Sequence, residues 1–351
     1  MIRIALDAMG GDRGPDALVS GALLAVEDSG YELEIVLFGD ENQVTKALWK
    51  AGRSGDPRIS VRHTTEIVGM DESPTEAIRK KKDSSIVQAF QLVRKKNADA
   101  VVSAGNSGAT MAAAIRFMGR LKNISRPGIA SVFPTLKGPV VMMDVGANVD
   151  CRPKHLFQFG VMADSFVNAL YGVDKPRVGI MSNGEENDKG NALVKKTHKL
   201  FRESSLNFIG NIEGGDTWQG NVDVIVCDGF VGNVCLKISE GLAEAILSML
   251  RDEILKTYKA KMGYYLAKDA FARFRKRVDY AEYGGAPLLG LNGVSVVSHG
   301  KSNATAIKNA ILVAAELVHK KVNDQILQML ENNSFLLSAS KQESLEAEGE
   351  N

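Results

Sequence analysis

Length, composition and charge exclude several classes of protein. The chain has 351 residues, of which 44% are hydrophobic and 24% charged, as in a soluble globular protein and unlike a disordered chain, a collagen or a coiled coil. It carries 43 Lys and Arg against 42 Asp and Glu, so its formal net charge of +1 does not predict nucleic-acid binding. Three cysteines without a CxxC spacing predict reduced thiols, with neither a disulfide framework nor a zinc site.

The beginning of the sequence and its apolar runs argue against secretion and against a membrane span. Residues 1–7 form a strand-like run, whereas a secretory signal has a basic start followed by a longer apolar stretch. The longest helical apolar run, residues 310–318, already contains Glu316 and is shorter than the ~18 residues that a spanning helix needs. We therefore expect a cytoplasmic protein that does not cross a membrane.

Predicted strands and helices alternate along most of the chain. Apolar residues recur at helical spacing between the strands, as at Ile86, Ala89, Phe90 and Val93. The alternation predicts an α/β fold with a mainly parallel sheet. No repeat and no Pro/Ser-rich linker divides residues 1–332, which we expect to form a single interleaved α/β unit. Seven strands are predicted, at residues 2–6, 33–39, 100–103, 140–145, 177–181, 222–227 and 294–298.

Two segments differ from the rest of the chain. Residues 242–277 predict a helical hairpin broken near Gly263, and residues 256–277 contain eight Lys and Arg against one acid, Asp269. Residues 333–351 are polar and acidic, which predicts a disordered tail. Five apolar residues of the hairpin's first arm share one helical stripe that would bury against a partner: Leu242, Ala245, Ile246, Met249 and Leu250.

Glycine-bearing turns follow five of the predicted strands. They are DAMGGD at residues 7–12, SAGNSGA at 103–109, DVGAN at 144–148, SNGEENDKGN at 182–191 and DGFVGN at 228–233. In an open parallel sheet such turns lie together at the carboxyl edge, where ligands bind. Backbone N–H groups at the starts of the following helices suit a phosphate or a developing oxyanion, although any one such turn is more often a plain tight connection.

Several common catalytic and cofactor motifs are missing. No GxGxxG follows a strand, and the GKS at residues 300–302 lacks the first glycine of a Walker A loop. The five histidines have no metal-ligand spacing, so neither a metal nor a cofactor is predicted. Ser107 is not in a GxSxG elbow, and its position favours an N-cap over a covalent nucleophile.

Two polar side chains within these turns remain ambiguous on residue pattern alone. Lys189 follows Glu185, Glu186 and Asp188, so it is either an ordinary surface Lys on a first helical turn or a cation placed for an anion. Asn233 either caps the following helix or donates to an oxyanion.

The ordered motifs resemble the PlsX family, the acyl-ACP:phosphate acyltransferases of bacterial phospholipid synthesis. The resemblance runs from residue 1 to about residue 321 and includes the five turns, GNIEGGD at residues 210–216, CDGFVGNVCLK at 227–237 and EYGGAPLLGLNG at 282–293. It implies an enzyme that transfers a fatty acyl group from acyl carrier protein (ACP) to inorganic phosphate. The alternatives are a short-chain phosphotransacetylase, an NAD-dependent dehydrogenase of the same fold, and a non-catalytic module that holds acyl phosphates.

The resemblance also implies the fold, the partners and the location. The fold would be an α/β/α sandwich similar to the isocitrate/isopropylmalate dehydrogenase and phosphotransacetylase group, as a homodimer. Family members associate peripherally with the inner face of the membrane, and the acyl phosphate would pass to a glycerol-3-phosphate acyltransferase. For membrane contact the hairpin offers Tyr264, Tyr265, Leu266 and Lys268 against an anionic surface. Residues 79–82 and 94–96 are the densest basic runs outside the hairpin and are the candidates for docking the acidic ACP.

Phosphate is itself the nucleophile in this reaction, so the protein need only position it and stabilise the oxyanion. Lys189 would offset the phosphate charge, and Asn233 would donate to the tetrahedral oxyanion. The aspartates of the turns are equally explained as acceptors for backbone N–H groups, and His299 either protonates the departing thiolate or packs. The predicted substrate and phosphate-binding residues are Asp7, Gly10, Gly11, Ser103, Gly105, Asn106, Ser107, Gly108, Asn148, Asn183, Gly184, Glu185, Asn191, Asp228, Gly229, Gly232 and His299.

Overall fold

One twisted sheet of eleven strands runs through the protein. The computed structural model describes residues 1–278 and 280–336. The strand order is β3-β2-β1-β4-β11-β10-β5-β6-β9-β7-β8. The strands are β1 (Ile2–Asp7), β2 (Leu33–Gly39), β3 (Ile59–His63), β4 (Ala100–Ser103), β5 (Gly128–Pro134), β6 (Pro139–Met143), β7 (Val178–Met181), β8 (Phe208–Ile212), β9 (Val224–Val226), β10 (Ala286–Leu289) and β11 (Val294–Val297).

All seven predicted strands are present, and four further strands were not predicted. Of these four, β3 and β8 are the two edge strands of the sheet, and their side chains are mostly exposed or half-buried. The other two, β5 and β10, each contain a proline, a residue that weakens a strand prediction. The missed strands therefore lack the continuous apolar run that marks the buried parallel strands.

The strand directions divide the sheet into two parallel blocks that run in opposite senses. Strands β3, β2, β1, β4 and β11 are mutually parallel, and so are β6, β9, β7 and β8. Between the blocks, β10 is antiparallel to β11 and to β5, and β5 is antiparallel to β6. The carboxyl ends of β1, β4 and β11 lie at one end of the sheet, which we call the first edge. The carboxyl ends of β6, β7 and β9 lie at the opposite end, which we call the second edge.

Helices cover both faces of the sheet, which confirms the predicted α/β/α sandwich. On β1, Ile4 and Leu6 belong to one apolar core and Ala5 to another, because alternate residues of a strand point to opposite faces. The helices are α1 (Gly14–Asp28), α2 (Glu41–Lys50), α3 (Pro74–Lys80), α4 (Ser85–Arg94), α5 (Ser107–Ala113, continued by a π-helical turn Ala114–Met118), α6 (Pro153–Tyr171), α7 (Ala192–Arg202), α8 (Gly229–Lys256), α9 (Tyr258–Leu266), α10 (Lys268–Val278), α11 (Ala304–His319) and α12 (Val322–Asn332).

The predicted hairpin is in fact three helices. The first, α8, begins at Gly229 rather than at Leu242 and is 28 residues long. The helical conformation is interrupted at Thr257 and again at Ala267. Thr257 has an extended backbone that ends α8, and its Oγ1 accepts from Ala260 N at 3.1 Å. Gly263 lies inside α9, so the predicted break there is wrong. Within the described residues, no helix combines the length and the apolar character required to cross a bilayer.

Residues 333–336 belong to the folded unit and not to a disordered tail as predicted. Asn333 is fully buried, its Oδ1 accepts from Ser205 N at 3.0 Å, and Leu336 is buried in the core. These contacts hold residues 333–336 against the folded unit. The remainder of the predicted tail, residues 337–351, lies outside the described residues.

Candidate active site

The five glycine-bearing turns lie on two opposite edges of the sheet. The turns after β1 and β4 lie at the first edge, and we call them turn group one. The turns after β6, β7 and β9 lie at the second edge and form turn group two. The expectation of one common edge is therefore wrong for a single protomer, because the antiparallel strands β10 and β5 reverse the direction of the sheet.

Turn group one is held together by a buried carboxylate. Asp7 accepts from Ser103 Oγ at 2.8 Å and from Met9 N at 3.2 Å. Burial raises the pKa of Asp7, partly opposed by these hydrogen bonds. A Cβ on Gly10 would lie 2.6 Å from Gly105 N, so the two turns are packed backbone against backbone. Gly11 has φ +88° and faces the Gly300 carbonyl, which requires a glycine at that position.

The polar side chain at the start of α5 forms its hydrogen bonds within the protein. Asn106 is the N-cap, since its Oδ1 accepts from Ala109 N at 3.0 Å, and its Nδ2 donates to Met70 O at 2.9 Å. Ser107 is the exposed first residue of the helix, so the prediction that Ser107 is the cap is wrong by one position. Gly108 approaches Pro74, and His299 Nδ1 accepts from Lys301 N at 3.1 Å in the turn after β11.

Turn group two is organised by Asp144 and Asn148. The Asp144 carboxylate accepts from Asn148 N at 2.7 Å and from Ile129 N at 3.0 Å. Asn148 Nδ2 donates to Pro127 O at 2.8 Å, and Asn148 O accepts from Gly229 N at 2.7 Å. Both side chains are buried, and burial raises the pKa of Asp144. These contacts join the turn after β6 to the start of β5 and to the start of α8.

The first turn of α8 is pressed against that turn. Asp228 is the N-cap, and its Oδ1 accepts from Phe230 N at 3.0 Å and Val231 N at 2.9 Å. A Cβ on Gly229 would lie 2.6 Å from Asn148 O, and one on Gly232 only 1.9 Å from Asp144 O. Asp228 and Asn148 therefore already satisfy the first N–H groups of α8, as the turn-organising explanation of the aspartates requires.

Asn233 does not cap the helix, which leaves its amide available. It is exposed on the first turn of α8, and within the described residues its side chain has no hydrogen-bond partner. Gly146, at the tip of the turn after β6, faces this amide, because a Cβ on Gly146 would lie 3.5 Å from Asn233 Oδ1. Because Asp228 is the cap, the capping explanation of Asn233 is wrong.

Hydrogen bonds with asparagine side chains hold the turn that carries Lys189. Asn183 Oδ1 accepts from Gly190 N at 2.8 Å, and Asn191 caps α7 by accepting from Val194 N at 2.9 Å. Lys189 precedes the helix, so it is not on a first helical turn as predicted. Its aliphatic chain crosses buried Gly184, where a Cβ would lie 2.8 Å from Lys189 Cγ. Lys189 is exposed and, within the described residues, forms no ion pair, and neighbouring Glu185 is exposed as well.

Sequence reasoning missed Asn211 on β8, which supports the same turn. Asn211 is buried, and its Nδ2 donates to Glu186 O at 2.7 Å. Glu186 O also accepts from Lys189 N at 3.0 Å. Asn211 lies in an edge strand that the sequence did not predict, and the only signal for it was its place in the motif GNIEGGD at residues 210–216, to which no role was assigned.

Comparison with known proteins shows the family to which the chain belongs. The sequence matches the family model described as "Fatty acid synthesis protein" over residues 2–325. The chain belongs to this family. It is 52% identical over 332 residues to a phosphate acyltransferase of Geotalea uraniireducens (strain Rf4), covering 95% of both chains. It is also 52% identical over 329 residues to one of Syntrophotalea carbinolica, covering 94% of both. The resemblance to the PlsX family is thereby confirmed.

Solved structures share the fold of this family member. A phosphotransacetylase from Streptococcus pyogenes superposes with a TM-score of 0.62 at 17% identity, covering 91% of this chain and 94% of that one. A branched-chain phosphotransacylase from Enterococcus faecalis V583 gives 0.59 at 17% identity, with 91% and 99% covered. A putative 4-hydroxythreonine-4-phosphate dehydrogenase from Salmonella typhimurium gives 0.52 at 14% identity, with 90% and 100% covered. The expected phosphotransacetylase-like fold is confirmed.

The thiols around turn group two are poorly suited to act as nucleophiles. Cys151 Sγ donates to Asn148 O at 3.4 Å, and burial, reinforced by the charge of Asp144, raises the pKa of Cys151 to about 12. Burial also raises the pKa of Cys227 and of Cys235. These thiols stay protonated near neutral pH, and the thiolate is the reactive form. Cys151, Cys227 and Cys235 are therefore poor candidates for forming an acyl-cysteine intermediate.

Three cations that the motifs did not mark lie beside turn group two. Arg126, Arg152 and Lys154 surround His155, and burial together with these charges lowers the pKa of His155 to about 4. His155 Nδ1 accepts from Arg152 N at 3.2 Å, which ties the start of α6 together. For Arg126 the available signal was compositional, since no Asp or Glu occurs from residue 100 to residue 143, whereas Arg152 and Lys154 lie outside that stretch.

Proposed function

We propose that this family member is an acyl-ACP:phosphate acyltransferase that produces acyl phosphate for phospholipid synthesis. Relatives with 52% identity over nearly the whole chain carry the name phosphate acyltransferase. The observation that carries the proposal is a pair of polar side chains, Lys189 and Asn233, which have no partner among the described residues and lie on adjacent turns of one sheet edge. They supply a cation and a hydrogen-bond donor at a site whose thiols are protonated.

The reaction needs positioning and charge stabilisation more than it needs a protein nucleophile. A phosphate oxygen attacks the thioester carbon, and the carbonyl electrons move onto the oxygen of a tetrahedral intermediate. When the intermediate collapses, the C–S bond breaks and the sulfur leaves as the carrier thiolate. Lys189 offsets the phosphate charge during attack, and Asn233 donates to the oxyanion.

A second copy of the chain is the partner that we propose for α8. Apart from Gly229 and Gly232, no residue of this helix is buried. Its apolar stripe begins beside Asn233 and extends further than the predicted one. The stripe includes Phe230, Val234, Ile238, Leu242, Ile246 and Met249, which are 62%, 40%, 62%, 57%, 49% and 59% exposed. A row of this length needs a covering surface, which a two-fold contact between copies of α8 supplies.

Such a dimer would also bring turn group one of one protomer to the same side as turn group two of the other. A two-fold axis perpendicular to α8 pairs the helices antiparallel and inverts one protomer relative to the other. Turn group one of one protomer then lies on the same side as turn group two of its partner. Under this arrangement the predicted phosphate-binding residues of both groups, Asp7 and Asn106 included, serve composite sites, and residues 1–332 work as one catalytic unit.

Peripheral membrane contact is proposed for α9. No residue of α9 is buried, and Tyr265 and Leu266 are 70% and 81% exposed at its end. Lys268 Nζ lies 5.6 Å from the centre of the Tyr265 ring, so a cation and an aromatic side chain share this tip. Exposed tyrosine and leucine beside lysines suit the headgroup region of an anionic bilayer. Acyl phosphate would then be released where a downstream glycerol-3-phosphate acyltransferase consumes it.

Release of carrier thiol from acyl-ACP, with and without phosphate, tests the proposed function. Phosphate-dependent thiol release, matched by acyl phosphate trapped with hydroxylamine, is the expected result. Phosphate-independent release would indicate a thioesterase instead. A preference for acetyl-CoA over long-chain acyl-ACP would reassign the protein to short-chain phosphotransacetylation.

A further inference from the structure

The second edge of the sheet carries an unusual concentration of unpaired cations. From residue 100 to residue 143 the sequence contains five Lys and Arg and no acid. Most of these cations lie between α5 and β5, at the end of the sheet where turn group two also lies. We define the basic edge surface by six exposed residues: Lys95, Lys96, Arg120, Lys122, Arg126 and Arg152.

Backbone contacts connect this surface directly to the site. Pro127, which follows Arg126, accepts at its carbonyl from Asn148 Nδ2 at 2.8 Å. Ser125 N donates to Gln158 Oε1 at 2.9 Å, so the segment is attached to α6, whose N-cap is Arg152. These bonds place Arg126 and Arg152 next to the turn after β6.

The end of α4 extends the surface away from the site. A Cβ on Gly293 would lie 3.2 Å from both Val93 Cγ1 and Met118 Sδ, so α4 and the π-helical turn meet at the start of β11. Asn292 N donates to Gly119 O at 3.0 Å, next to Arg120. Lys95 and Lys96 therefore lie on the same edge as Arg120.

The charges of this surface are not neutralised by ion pairs within residues 1–278 and 280–336. Among the described residues, none of the six cations has an ion pair. The basic run at residues 79–82 differs, because Lys81 pairs with Glu72 at 2.5 Å and Lys80 with Glu76 at 2.5 Å. That run also lies near turn group one, since Asn106 Nδ2 donates to Glu72 O at 3.1 Å. The structure thus separates the two predicted basic runs.

The opposite flank of turn group two is acidic. Glu185, Glu186 and Asp188 are exposed on the turn that carries Lys189. The potential across the second edge therefore changes from positive at Arg126 to negative at Glu185. An acidic macromolecule approaching this edge is attracted to one side of the site and repelled from the other.

We propose that the basic edge surface docks an acidic carrier domain and thereby delivers its thioester to turn group two. This proposal rests on the proposed function, in which the acyl donor is carried by the acidic ACP. A protein surface fits better than a bilayer, because Met118 and Leu121 are 8% and 5% exposed and cannot insert. The exposed apolar neighbours Ile115 and Val149, at 40% and 59%, offer contacts to a protein but no adjacent tyrosine and leucine like those of α9. The tip of α9, which we propose for membrane contact, differs because Tyr265 and Leu266 are highly exposed.

Charge reversal with a matched control tests the proposal. The test variant is Lys95→Glu with Lys122→Glu, and neither lysine has a side-chain hydrogen bond among the described residues. The control is Lys46→Glu with Lys175→Glu, an identical charge change at two exposed lysines that lie outside both turn groups. Titration calorimetry measures binding of holo-ACP at low and high salt, and kinetics compare acyl-ACP with an acyl-pantetheine thioester that lacks the carrier.

The test variant is expected to bind holo-ACP about tenfold more weakly, with a smaller salt dependence, and to raise KM for acyl-ACP to a similar extent. The test variant should turn over acyl-pantetheine at the parent rate. The control variant should match the parent in holo-ACP binding and in KM for acyl-ACP. A Lys95→Gln, Lys122→Gln variant is expected to weaken holo-ACP binding to an intermediate extent. Because this variant only removes the charges, it also tests the surface if the charge-reversal variant misfolds.

Unchanged holo-ACP binding, an equal loss in the control, or an equal loss with acyl-pantetheine would overturn the docking site. So would retained holo-ACP binding combined with lost sedimentation on phosphatidylglycerol vesicles, which would make the surface a lipid contact. Failure of the proposed function is recognised separately, because then the parent binds holo-ACP but transfers no acyl group to phosphate.

Discussion

Asn211 Nδ2 donates to Glu186 O at 2.7 Å, and that same carbonyl accepts from Lys189 N at 3.0 Å. A buried amide on the edge strand β8 thus holds the turn that presents an exposed lysine. Asn211 Oδ1 is buried and has no partner among the described residues, so the side chain is kept at this position at some cost in stability.

Removing the Asn211 amide is expected to impair phosphate use without unfolding the protein. We expect Asn211→Ala to raise KM for phosphate roughly tenfold, because Lys189 loses its fixed position. Asn211→Asp, which lacks the donor, should behave in the same way. The control Asn207→Ala removes a similar bond, from Asn207 Nδ2 to Lys175 O at 3.1 Å, but at the other end of β8. Equal KM effects in both variants would show that Asn211 supports only the strand.

Lys189→Ala and Asn233→Ala are each expected to lower kcat/KM by about two orders of magnitude while leaving Tm unchanged. Both side chains are exposed and unpartnered in the described structure, so their loss removes transition-state stabilisation and no packing. Lys189→Arg should rescue only in part, since a guanidinium places its charge differently from an ammonium. Lys195→Ala on α7 is the control, and near-normal turnover in either test variant would remove that residue from the mechanism.

Two glycines of α8 are expected to respond oppositely to alanine. In Gly232→Ala the new Cβ would lie 1.9 Å from Asp144 O, so we expect a loss of about 3 kcal/mol or more in the free energy of unfolding. In Gly241→Ala the Cβ meets nothing within 4 Å. The gain there should be about 0.5–1 kcal/mol from helix propensity. Chemical denaturation measures both, and a tolerated Gly232→Ala would contradict the close packing of α8 on the turn after β6.

Asp164 is expected to make stability fall as pH rises from about 4 to about 7. The residue is 5% exposed on α6, and burial raises the pKa of Asp164 to about 7 from the ordinary 3.8. Below pH ~4 the carboxyl is protonated in both states, whereas between about pH 4 and 7 only the unfolded state ionises, which favours unfolding. Asp164→Asn should therefore be more stable than the parent by roughly 2–4 kcal/mol at pH 8. This advantage should vanish near pH 4, and a pH-independent difference in denaturant titrations would contradict the assignment.

Membrane binding is expected to depend on the tip of α9. Tyr265→Glu with Leu266→Glu should abolish sedimentation with anionic liposomes, because charged side chains cannot enter the headgroup boundary favourably. The parent should bind less as salt rises, since lysines contribute to the attraction. Trp49→Glu is the control, because Trp49 is 74% exposed on the distant helix α2. Equal binding by the double variant and the parent would leave α9 without a membrane role.

The sequence alone determined the α/β class, the seven buried strands and the family. Buried parallel strands such as β1 and β4 consist of continuous apolar residues, and the glycine-bearing motifs are local, so both can be recognised without a structure. Asp228 and Asn148 were also correctly placed on turns, because the motifs contain them.

Only the tertiary structure decided where those turns lie relative to one another. The short strand β10, APLL, carries no clear periodic signal. The three antiparallel pairings β11–β10, β10–β5 and β5–β6 together reverse the sheet and send turn groups one and two to opposite edges. Asn211 and the basic edge surface likewise depend on contacts between residues distant in sequence. Periodicity and turn chemistry are local properties, whereas strand direction and charge neighbourhood arise from long-range packing, which no local pattern encodes.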